Sequence, residues 1–410
     1  MTSLRSYQRI VLALLFAATA VNYLDRQALS VIAPVLTKQM SLSTIAYSRV
    51  IFLFLFGYTI SQALAGGLID KTGTRLGMWL CVGAWSVVSV LHSLSAGAVS
   101  FGILRFLLGM AEAGNWPGAV KAVSETFSTS RRAFAVGVFN SGSIAGAILA
   151  PPIISAVTLA WGWRIMFVVV GLVGFVWVFL WGAFYQHSVH QPPETGPGAD
   201  SGKRSFRAHF RNRALWGMML GRFLADPVWW FYTFWLPSYL SRSRGFTLGQ
   251  IGRTAWIPFV FAGIGGWSGG YVSDVLVRRG TPEVTARKVV MSGSALLMLS
   301  GICAARASTA SVALTWISVV LLGYASWASN MLSLPIDLFG SHEVGRITGL
   351  TGTAGAIGGM AFSLISGWLI AKVSYESVFV MGSAMILCAL IAVGVLVTHT
   401  NLRLTAQANT

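Results

Sequence analysis

The sequence predicts an all-α integral membrane protein with twelve transmembrane helices in two pseudo-symmetric six-helix bundles. Three observations carry this prediction: the composition, the recurrence of long apolar runs, and a weak repeat between the two halves. Of the 410 residues, 55% are hydrophobic and only 10% are charged, whereas charged residues make up about 25% of an average soluble domain. A soluble chain of this length could not bury so much apolar surface, and the same hydrophobicity excludes disorder.

Apolar runs recur along the whole chain at about the 20 residues that a helix needs to cross the hydrocarbon core. They are too long for the alternating strands, of about 10 residues, of an outer-membrane barrel. The first run comes after Arg5 and Arg9 like a signal peptide, but it continues to Leu36, so we interpret it as the first span. The predicted spans are 9–36, 46–69, 76–97, 99–122, 133–158, 164–186, 214–240, 251–277, 288–306, 312–337, 346–372 and 374–398.

These spans divide the chain into an N-terminal bundle (1–186), a basic cytoplasmic linker (187–213) and a C-terminal bundle (214–410). Lys and Arg number 18 on the side of the N-terminus and linker, 8 on the opposite side and 3 within the spans. The positive-inside rule therefore predicts that both termini are cytoplasmic. We interpret the net charge of +17 as a signal of topology and of contact with lipid headgroups, not of nucleic-acid binding.

The two halves repeat weakly. The segment GGLIDK (66–71) closes span 2, and GGYVSD (269–274) closes span 8. A GxxxG pattern begins at Gly142 in span 5 and at Gly355 in span 11, and this spacing lets helix backbones approach closely. A six-plus-six arrangement with such repeats indicates a transporter that alternates access between two bundles.

Charged residues within the predicted spans are the main functional candidates, because an intramembrane charge is costly unless it has a partner or a task. Asp25 and Arg26 are adjacent in span 1, so their side chains point about 100° apart on a helix. Arg105 and Glu112 in span 4 lie two turns apart, at about 10 Å along the axis, which leaves a gap for a small anion or a water. A purely structural role is the alternative for both pairs.

Arg222 and Asp226, at positions i and i+4 of span 7, predict a direct ion pair that is either structural or functional. The intramembrane charges balance as three arginines and three acids. A nearby arginine favours the ionised form of a carboxylate, so an anion that occupies the arginine favours protonation. The pattern therefore predicts that a proton and an anion bind cooperatively and travel in the same direction.

Aromatic and polar side chains in the same spans suit a polyol, since sugar rings bind through contacts with aromatic faces and through hydroxyl hydrogen bonds. Together with the charges they indicate a sugar acid. The alternative for each tryptophan is packing or an interfacial anchor. The candidates are Tyr23, Tyr58, Gln62, Trp229, Trp230, Tyr232, Trp235, Trp327, Ser329 and Asn330.

A second charged group lies at the predicted cytoplasmic ends of the spans. Asp70, Lys71 and Arg75 surround a glycine turn after span 2, and Asp274 is the counterpart in the second half. Such charges could latch neighbouring helices together in one state and release them in another; a solvated charge run is the alternative. Possible latch partners are Lys121, Glu125, Arg131, Arg132 and Asp337.

Metal and enzyme chemistry are not indicated. Cys81, Cys303 and Cys388 lie far apart, with no CxxC or Cys/His pair. The six histidines lie near loops or ends, and none has a cysteine or an acid at ligand spacing. The sequence therefore predicts no metal site, no cofactor and no enzyme. A channel would show charged rings or repeated filter segments, which the sequence lacks.

Four motifs carry a resemblance to a known family: GGLIDKTGTR, NYLDRQALSVIAP, RFLLGMAEAGNWPGAVKAVSETF and RFLADPVWWFYTFWLP. The chain resembles the major facilitator superfamily and, within it, the anion:cation symporter family and its bacterial hexuronate transporters. This resemblance implies the major facilitator fold and proton-coupled import of galacturonate or glucuronate across the bacterial inner membrane. Import or exchange of another organic anion, such as an aldonate or an aromatic acid, is the alternative.

The resemblance also implies roles for single residues. Asp25 and Glu112 match the proton-coupling positions, Arg26 matches the position that binds the substrate carboxylate, and Arg105 supplies charge to the site. The residues that it implies for contact with substrate are Tyr23, Tyr58, Trp230, Trp327 and Asn330. Lys71 stands where the superfamily usually has arginine. The predicted partners are a sugar-acid anion, protons and the lipid bilayer, without nucleic acid, and the predicted state is a monomer.

Overall fold

The computed structural model describes residues 4–186, 210–339 and 344–398, and every regular element among them is a helix. Most of the predicted linker, 187–209, lies outside the described residues, as do both ends of the chain. The predictions that concern the basic linker and the cytoplasmic termini therefore fall outside the part of the chain that is described.

The first half holds spans one to six. Its helices are α1 (Leu4–Gln39), α2 (Thr44–Thr72), α3 (Thr74–Leu91), α4 (Ala98–Glu112), α5 (Asn115–Thr126) and α6 (Thr129–Phe184). A short 3-10 turn, His92–Leu94, extends α3. Helices α4 and α5 together make span four. The long α6 contains spans five and six, which Gly162 separates with a φ of 82°, a left-handed conformation that glycine adopts readily.

The second half holds spans seven to twelve. Its helices are α7 (Arg213–Arg244), α8 (Leu248–Thr254), α9 (Ile257–Arg278), α10 (Glu283–Met298), α11 (Gly301–Ala305), α12 (Ala310–Phe339), α13 (Val344–Lys372) and α14 (Tyr375–Leu396). The pairs α8/α9 and α10/α11 each make one span. The described helices thus confirm the predicted all-α fold with twelve spans.

By length and apolar composition alone, eight helical segments of the described chain could cross a membrane, and the longest of them, Phe134–Phe184, contains two spans. The other spans deviate for visible reasons. Span four is divided between α4 and α5, span seven carries Arg222 and Asp226, and span eight is rich in glycine. A short helix, charged residues or many glycines therefore keep these three spans out of the set defined by length and apolar composition.

Contacts group the described chain into two compact units. Unit 1 holds the described residues up to 186 together with Thr233–Trp256, and unit 2 holds 210 to Tyr232 together with the described residues from Ile257 onward. The boundary falls inside α7, four residues before Pro237. Proline has no backbone N–H, so the Thr233 carbonyl lacks its usual helical partner at this point.

Both GxxxG patterns lie at close helix contacts, as predicted. In unit 1, a Cβ on Gly146 of α6 would overlap the carbonyl oxygen of Ala20 on α1. In unit 2, a Cβ on Gly355 of α13 would overlap Oδ2 of Asp226 on α7. Only glycine leaves room for these contacts, so the two patterns bring α1 and α7, with their charged residues, against a neighbouring helix.

Candidate functional site

Unit 1 buries four charged side chains that the sequence singled out. Asp25 and Arg26 of α1 are 1% and 2% exposed, and Arg105 and Glu112 of α4 are 0% and 1% exposed. Charges buried this deeply need partners, and the hydrogen-bond partners of Arg26, Glu112 and Asp25 include side chains on other helices. The cluster is therefore built between helices, from α1, α3 and α4.

Arg26 and Glu112 form two hydrogen bonds across two helices, and one carboxylate oxygen accepts both of them. The Nε and Nη2 atoms of Arg26 donate to Oε2 of Glu112 at 3.2 and 3.0 Å, and Nη2 also donates to Oδ1 of Asn22 at 3.1 Å. Spacing on α4 predicted that Arg105 and Glu112 are too far apart for a direct bond, and the structure shows none between them. Spacing along the sequence did not predict that Glu112 forms its ion pair with Arg26.

Asp25 has a different environment from its neighbour in sequence. The hydroxyl of Ser89 on α3 donates to Oδ1 of Asp25 at 2.9 Å, while Oδ2 has no hydrogen-bond partner among the described residues. Asp25 and Arg105 interact electrostatically, yet none of the three guanidinium nitrogens of Arg105 makes a hydrogen bond within the described chain. Ser89 was not among the sequence candidates, because a serine in an apolar span has no distinguishing signal.

Aromatic rings surround the guanidinium of Arg26. Its central carbon lies 4.7 Å from the ring centre of Tyr23, 4.8 Å from that of Tyr58 and 5.4 Å from that of Phe54. These distances are within the range of cation–π attraction. The predicted residues Tyr23 and Tyr58 are therefore brought together with Arg26, and Phe54 is an addition that the sequence did not single out.

Arg105 has aromatic neighbours of its own. Its guanidinium carbon lies 5.7 Å from the ring centre of Phe101 and 5.6 Å from that of Phe167. His92 packs against both rings at 4.9 Å. His92 is completely buried.

Unit 2 contains the predicted ion pair of span 7. Nε of Arg222 lies 2.9 Å from Oδ2 of Asp226, and the side chains are 20% and 10% exposed. The hydroxyl of Tyr324 on α12 donates to Oδ1 of Asp226 at 3.4 Å. The Tyr324 ring stacks on Trp229 with centroids 5.7 Å apart. The i,i+4 prediction is confirmed, and Tyr324 is the partner that sequence reasoning missed.

The other candidates of unit 2 lie in packed surroundings. Trp230 lies against Gly359, where a Cβ would come within 2.5 Å of its ring. Trp327 and Asn330 of α12 are both 0% exposed. Nδ2 of Asn330 donates to the Ser326 carbonyl at 2.9 Å. The structure thus places Trp327 and Asn330 in the interior of the helix packing.

The predicted latch of the first half forms one ion pair. Nζ of Lys121 lies 2.7 Å from Oδ1 of Asp70 and also donates to the Ile69 carbonyl. Arg75 donates instead to the Gly182 carbonyl at 2.5 Å, and Lys71 is exposed. Other candidates bind locally: Glu125 accepts from Thr74 and Tyr185, and Arg132 donates to the carbonyls of Ser124 and Phe127.

The second half builds a larger network around Arg287 of α10. Its guanidinium lies 2.9 Å from Oδ1 of Asp274 and 3.3 Å from Oδ2 of Asp337, and it also donates to Ser273. Asp274 and Asp337 are predicted latch residues, whereas Arg287 was counted only as a topology signal. One arginine therefore joins three helices at this end of unit 2.

Among the described residues, no group of three or more His, Cys, Asp or Glu side chains is arranged to hold a metal ion. The buried polar atoms of unit 1 include those of carboxylates, guanidinium groups, amides and hydroxyls, together with the imidazole of His92 and the indole of Trp85. This set can bind an anion through arginine and can accept a proton on a carboxylate.

Comparison with known proteins places the chain in a family. The model of the family described as Major Facilitator Superfamily matches residues 15–363. The hexuronate transporter of Escherichia coli K12 is 30% identical, over 92% of this chain and 91% of that protein. The galacturonate transporter of Dickeya chrysanthemi is 33% identical, over 73% and 91% respectively. An E. coli K12 protein named "Probable L-galactonate transporter" is 32% identical, over 70% and 66%.

Solved structures agree on the fold. A bacterial homologue of the human lysosomal transporter Spinster superposes with a TM-score of 0.74 at 16% identity, covering 95% of both chains. A D-xylose–proton symporter superposes with a TM-score of 0.74 at 16% identity, covering 94% of this chain and 97% of that one. At these identities the likeness concerns the arrangement of helices alone.

Proposed function

This chain belongs to the Major Facilitator Superfamily, so it is a multi-pass membrane transporter and not an enzyme, and we propose that it imports a hexuronate anion in symport with protons. The observation that carries the proposal is the fully buried ion pair Arg26–Glu112, which lies in one cluster with the buried residues Asp25 and Arg105. These groups provide two cations for a carboxylate substrate and two acids for protons. The names of the relatives from E. coli and Dickeya support a sugar acid as the substrate.

The proposed binding step is an exchange of carboxylates at Arg26. In the structure, Oε2 of Glu112 accepts from both Nε and Nη2 of Arg26. The substrate carboxylate takes the place of Glu112, because it offers the same kind of planar acceptor to the guanidinium. Glu112 is then a buried carboxylate without its cation, and burial without a counter-charge favours the protonated form.

This exchange couples the two solutes. The anion cannot occupy Arg26 without releasing Glu112, and Glu112 stays within the apolar interior only when it carries a proton. Asp25, whose Oδ2 has no hydrogen-bond partner among the described residues, is the second proposed proton site. Tyr23 and Tyr58, which already lie beside Arg26, are placed to contact the sugar ring.

Further assignments rest on the motif resemblance and on charge patterning. Substrate contact by Trp230, Trp327 and Asn330 rests on the resemblance. The proposed location is the bacterial inner membrane with both termini in the cytoplasm, because Lys and Arg are concentrated on that side. We propose a monomer as the working unit, since the chain supplies both six-span halves itself.

The test is uptake of labelled galacturonate and glucuronate into proteoliposomes, with and without an inward proton gradient. We expect accumulation of at least one hexuronate only when the gradient is present. Asp25→Asn and Glu112→Gln should each lose accumulation and keep exchange of substrate across the membrane. Uptake that carries no protons, or two mutants that both accumulate as the wild type does, would contradict the coupling.

The alternative substrate is an aldonate, which the name of the galactonate relative favours. It would bind Arg26 through the same carboxylate but present an open chain rather than a ring to Tyr23 and Tyr58. Competition distinguishes the two: unlabelled galactonate should inhibit hexuronate uptake weakly if the hexuronate is the substrate. Uptake of labelled galactonate without uptake of either hexuronate would transfer the assignment to the aldonate.

A further inference from the structure

The guanidinium of Arg105 is buried in an unusual way. It is 0% exposed, and none of its three nitrogens has a hydrogen-bond partner among the described residues. Buried polar groups are nearly always hydrogen-bonded, and an exception requires an explanation. Its guanidinium carbon lies 5.7 and 5.6 Å from the ring centres of Phe101 and Phe167.

A natural acceptor for Arg105 is present but not bonded. Asp25 interacts electrostatically with Arg105, and its Oδ2 is buried without a hydrogen-bond partner in the described chain, while Oδ1 accepts from Ser89. An unpaired donor and an unpaired acceptor of opposite charge therefore coexist in one cluster.

We propose that His92, Phe101 and Phe167 form an aromatic cage that the Arg105 guanidinium occupies when Asp25 is protonated and leaves to bind Asp25 when that carboxylate is ionised. The inference rests on the proposed proton coupling and adds positioning residues to it. A proton that binds Oδ2 of Asp25 removes the counter-charge of Arg105. An arginine without its partner is strongly destabilising in a protein interior, and ring faces supply a substitute attraction.

The cage is held in place by its own contacts. The rings of Phe101 and Phe167 lie 5.7 Å apart, edge to face, and His92 contacts both at 4.9 Å. Nδ1 of His92 lies 2.7 Å from the Val88 carbonyl, which fixes the imidazole. Helix α3 and the turn that extends it thus support the cluster twice, through Ser89 at Asp25 and through His92 in the cage.

Several other ionisable groups lie around Arg105 and Asp25. The ionisable groups that interact with Arg105 are Asp25, Glu112, Tyr47 and His92. Those that interact with Asp25 among the described residues are Arg105, Arg26 and Glu112, besides its bond from Ser89. Of these, Glu112 already holds Arg26, so Asp25 is the acid available to Arg105.

The test compares the pH dependence of uptake in three variants. Phe101→Leu and Phe167→Leu keep an apolar side chain but remove the ring face, and Phe167→Tyr keeps it. The matched control is Phe139→Leu, because Phe139 is equally buried in unit 1 but packs against Trp116. Each is assayed for proton-driven hexuronate uptake over a range of external pH and for exchange at equal pH.

Removal of a cage ring destabilises the state in which Asp25 is protonated, so more acid is needed to reach it. We expect half-maximal uptake to move to more acidic external pH by about one unit in Phe101→Leu and Phe167→Leu. Both leucine variants should retain exchange. Phe167→Tyr and the control Phe139→Leu should each keep the pH profile of the wild type.

Two results would overturn the cage. One is an unshifted profile in both leucine variants that express and exchange normally; the other is an equal shift in Phe139→Leu. If a leucine variant does not fold, the single change at the other ring and Phe167→Tyr still decide the question. A wild type that transports hexuronate without protons would instead refute the proposed coupling, and this inference with it.

Discussion

The ion pairs Arg26–Glu112 and Arg222–Asp226 have nearly the same length, but one joins two helices and the other lies within a single helix. Arg26–Glu112 spans 3.0 Å between α1 and α4 and is 2% and 0% exposed, whereas Arg222–Asp226 spans 2.9 Å within α7 and is 20% and 10% exposed. The first pair ties two helices together in a fully buried environment. The second neutralises itself on one helix and is partly open. Neutralising Glu112 therefore affects how helices pack, whereas neutralising Asp226 affects α7 and its contact with Tyr324.

Replacing Arg26 should have the largest effect of any change to the two ion pairs. We expect Arg26→Gln to reduce hexuronate uptake by at least about 100-fold and to destabilise the protein by about 3–5 kcal/mol, because it leaves Glu112 buried and unpaired. Uptake and thermal unfolding in detergent measure the two effects. The double variant Arg26→Gln/Glu112→Gln should recover most of the stability and none of the transport. Recovery of transport would show that Arg26 does not bind the substrate.

Glu112→Gln separates transport from stability within the same pair. The amide cannot take up a proton, so gradient-driven accumulation should fall by about 10-fold or more, while exchange continues. The loss of stability should be smaller than in Arg26→Gln, since the amide oxygen can still accept from the guanidinium. A variant that accumulates normally would remove Glu112 from the coupling mechanism.

Asp226→Asn tests the partly open pair. Because both side chains retain some contact with solvent, we expect a loss of stability of only about 1–2 kcal/mol. Hexuronate uptake should fall by less than about 5-fold. Thermal unfolding of Asp226→Asn and Glu112→Gln under the same conditions gives the comparison directly. A larger transport defect in Asp226→Asn than in Glu112→Gln would reverse the roles assigned to the two pairs.

Tyr324→Phe should have the smallest effect. It removes a hydrogen bond to Asp226 that is 3.4 Å long, near the limit for such bonds, and it keeps the ring that stacks on Trp229. We expect Tyr324→Phe to lower the free energy of unfolding by less than about 1 kcal/mol and to change uptake by about 2-fold at most. Tyr324→Leu, which also removes the stacking, is the matched variant and should cost more.

Local spacing predicted one of these pairs and could not predict the other. Arg222 and Asp226 meet through the i,i+4 geometry of a single helix. Arg26 and Glu112 are 86 residues apart in sequence, and no periodicity specifies which residue of α4 faces α1. The sequence therefore identified all six charged residues but could not assign their partners in unit 1.

The supporting residues show the same limit. Ser89, Phe101 and Phe167 are ordinary in an apolar span, and only the packing of α3, α4 and α6 gives them a role. Arg287 is different, since it pairs with Asp274 of the repeated GGYVSD segment, and that repeat is visible in the sequence. The repeat alone could not identify Arg287 as the partner of Asp274, because the two halves use different spans. The equivalent aspartate, Asp70, pairs with Lys121 on α5 in span four, whereas Arg287 lies on α10 in span nine.

The connection between spans five and six has a practical consequence for protein engineering. A single non-helical residue, Gly162, joins them within α6, so this connection has no spare length. An epitope tag or fluorescent reporter inserted here would have to push the two spans apart, and a side chain at this position would strain the backbone. Reporters intended to leave unit 1 intact therefore belong at another connection.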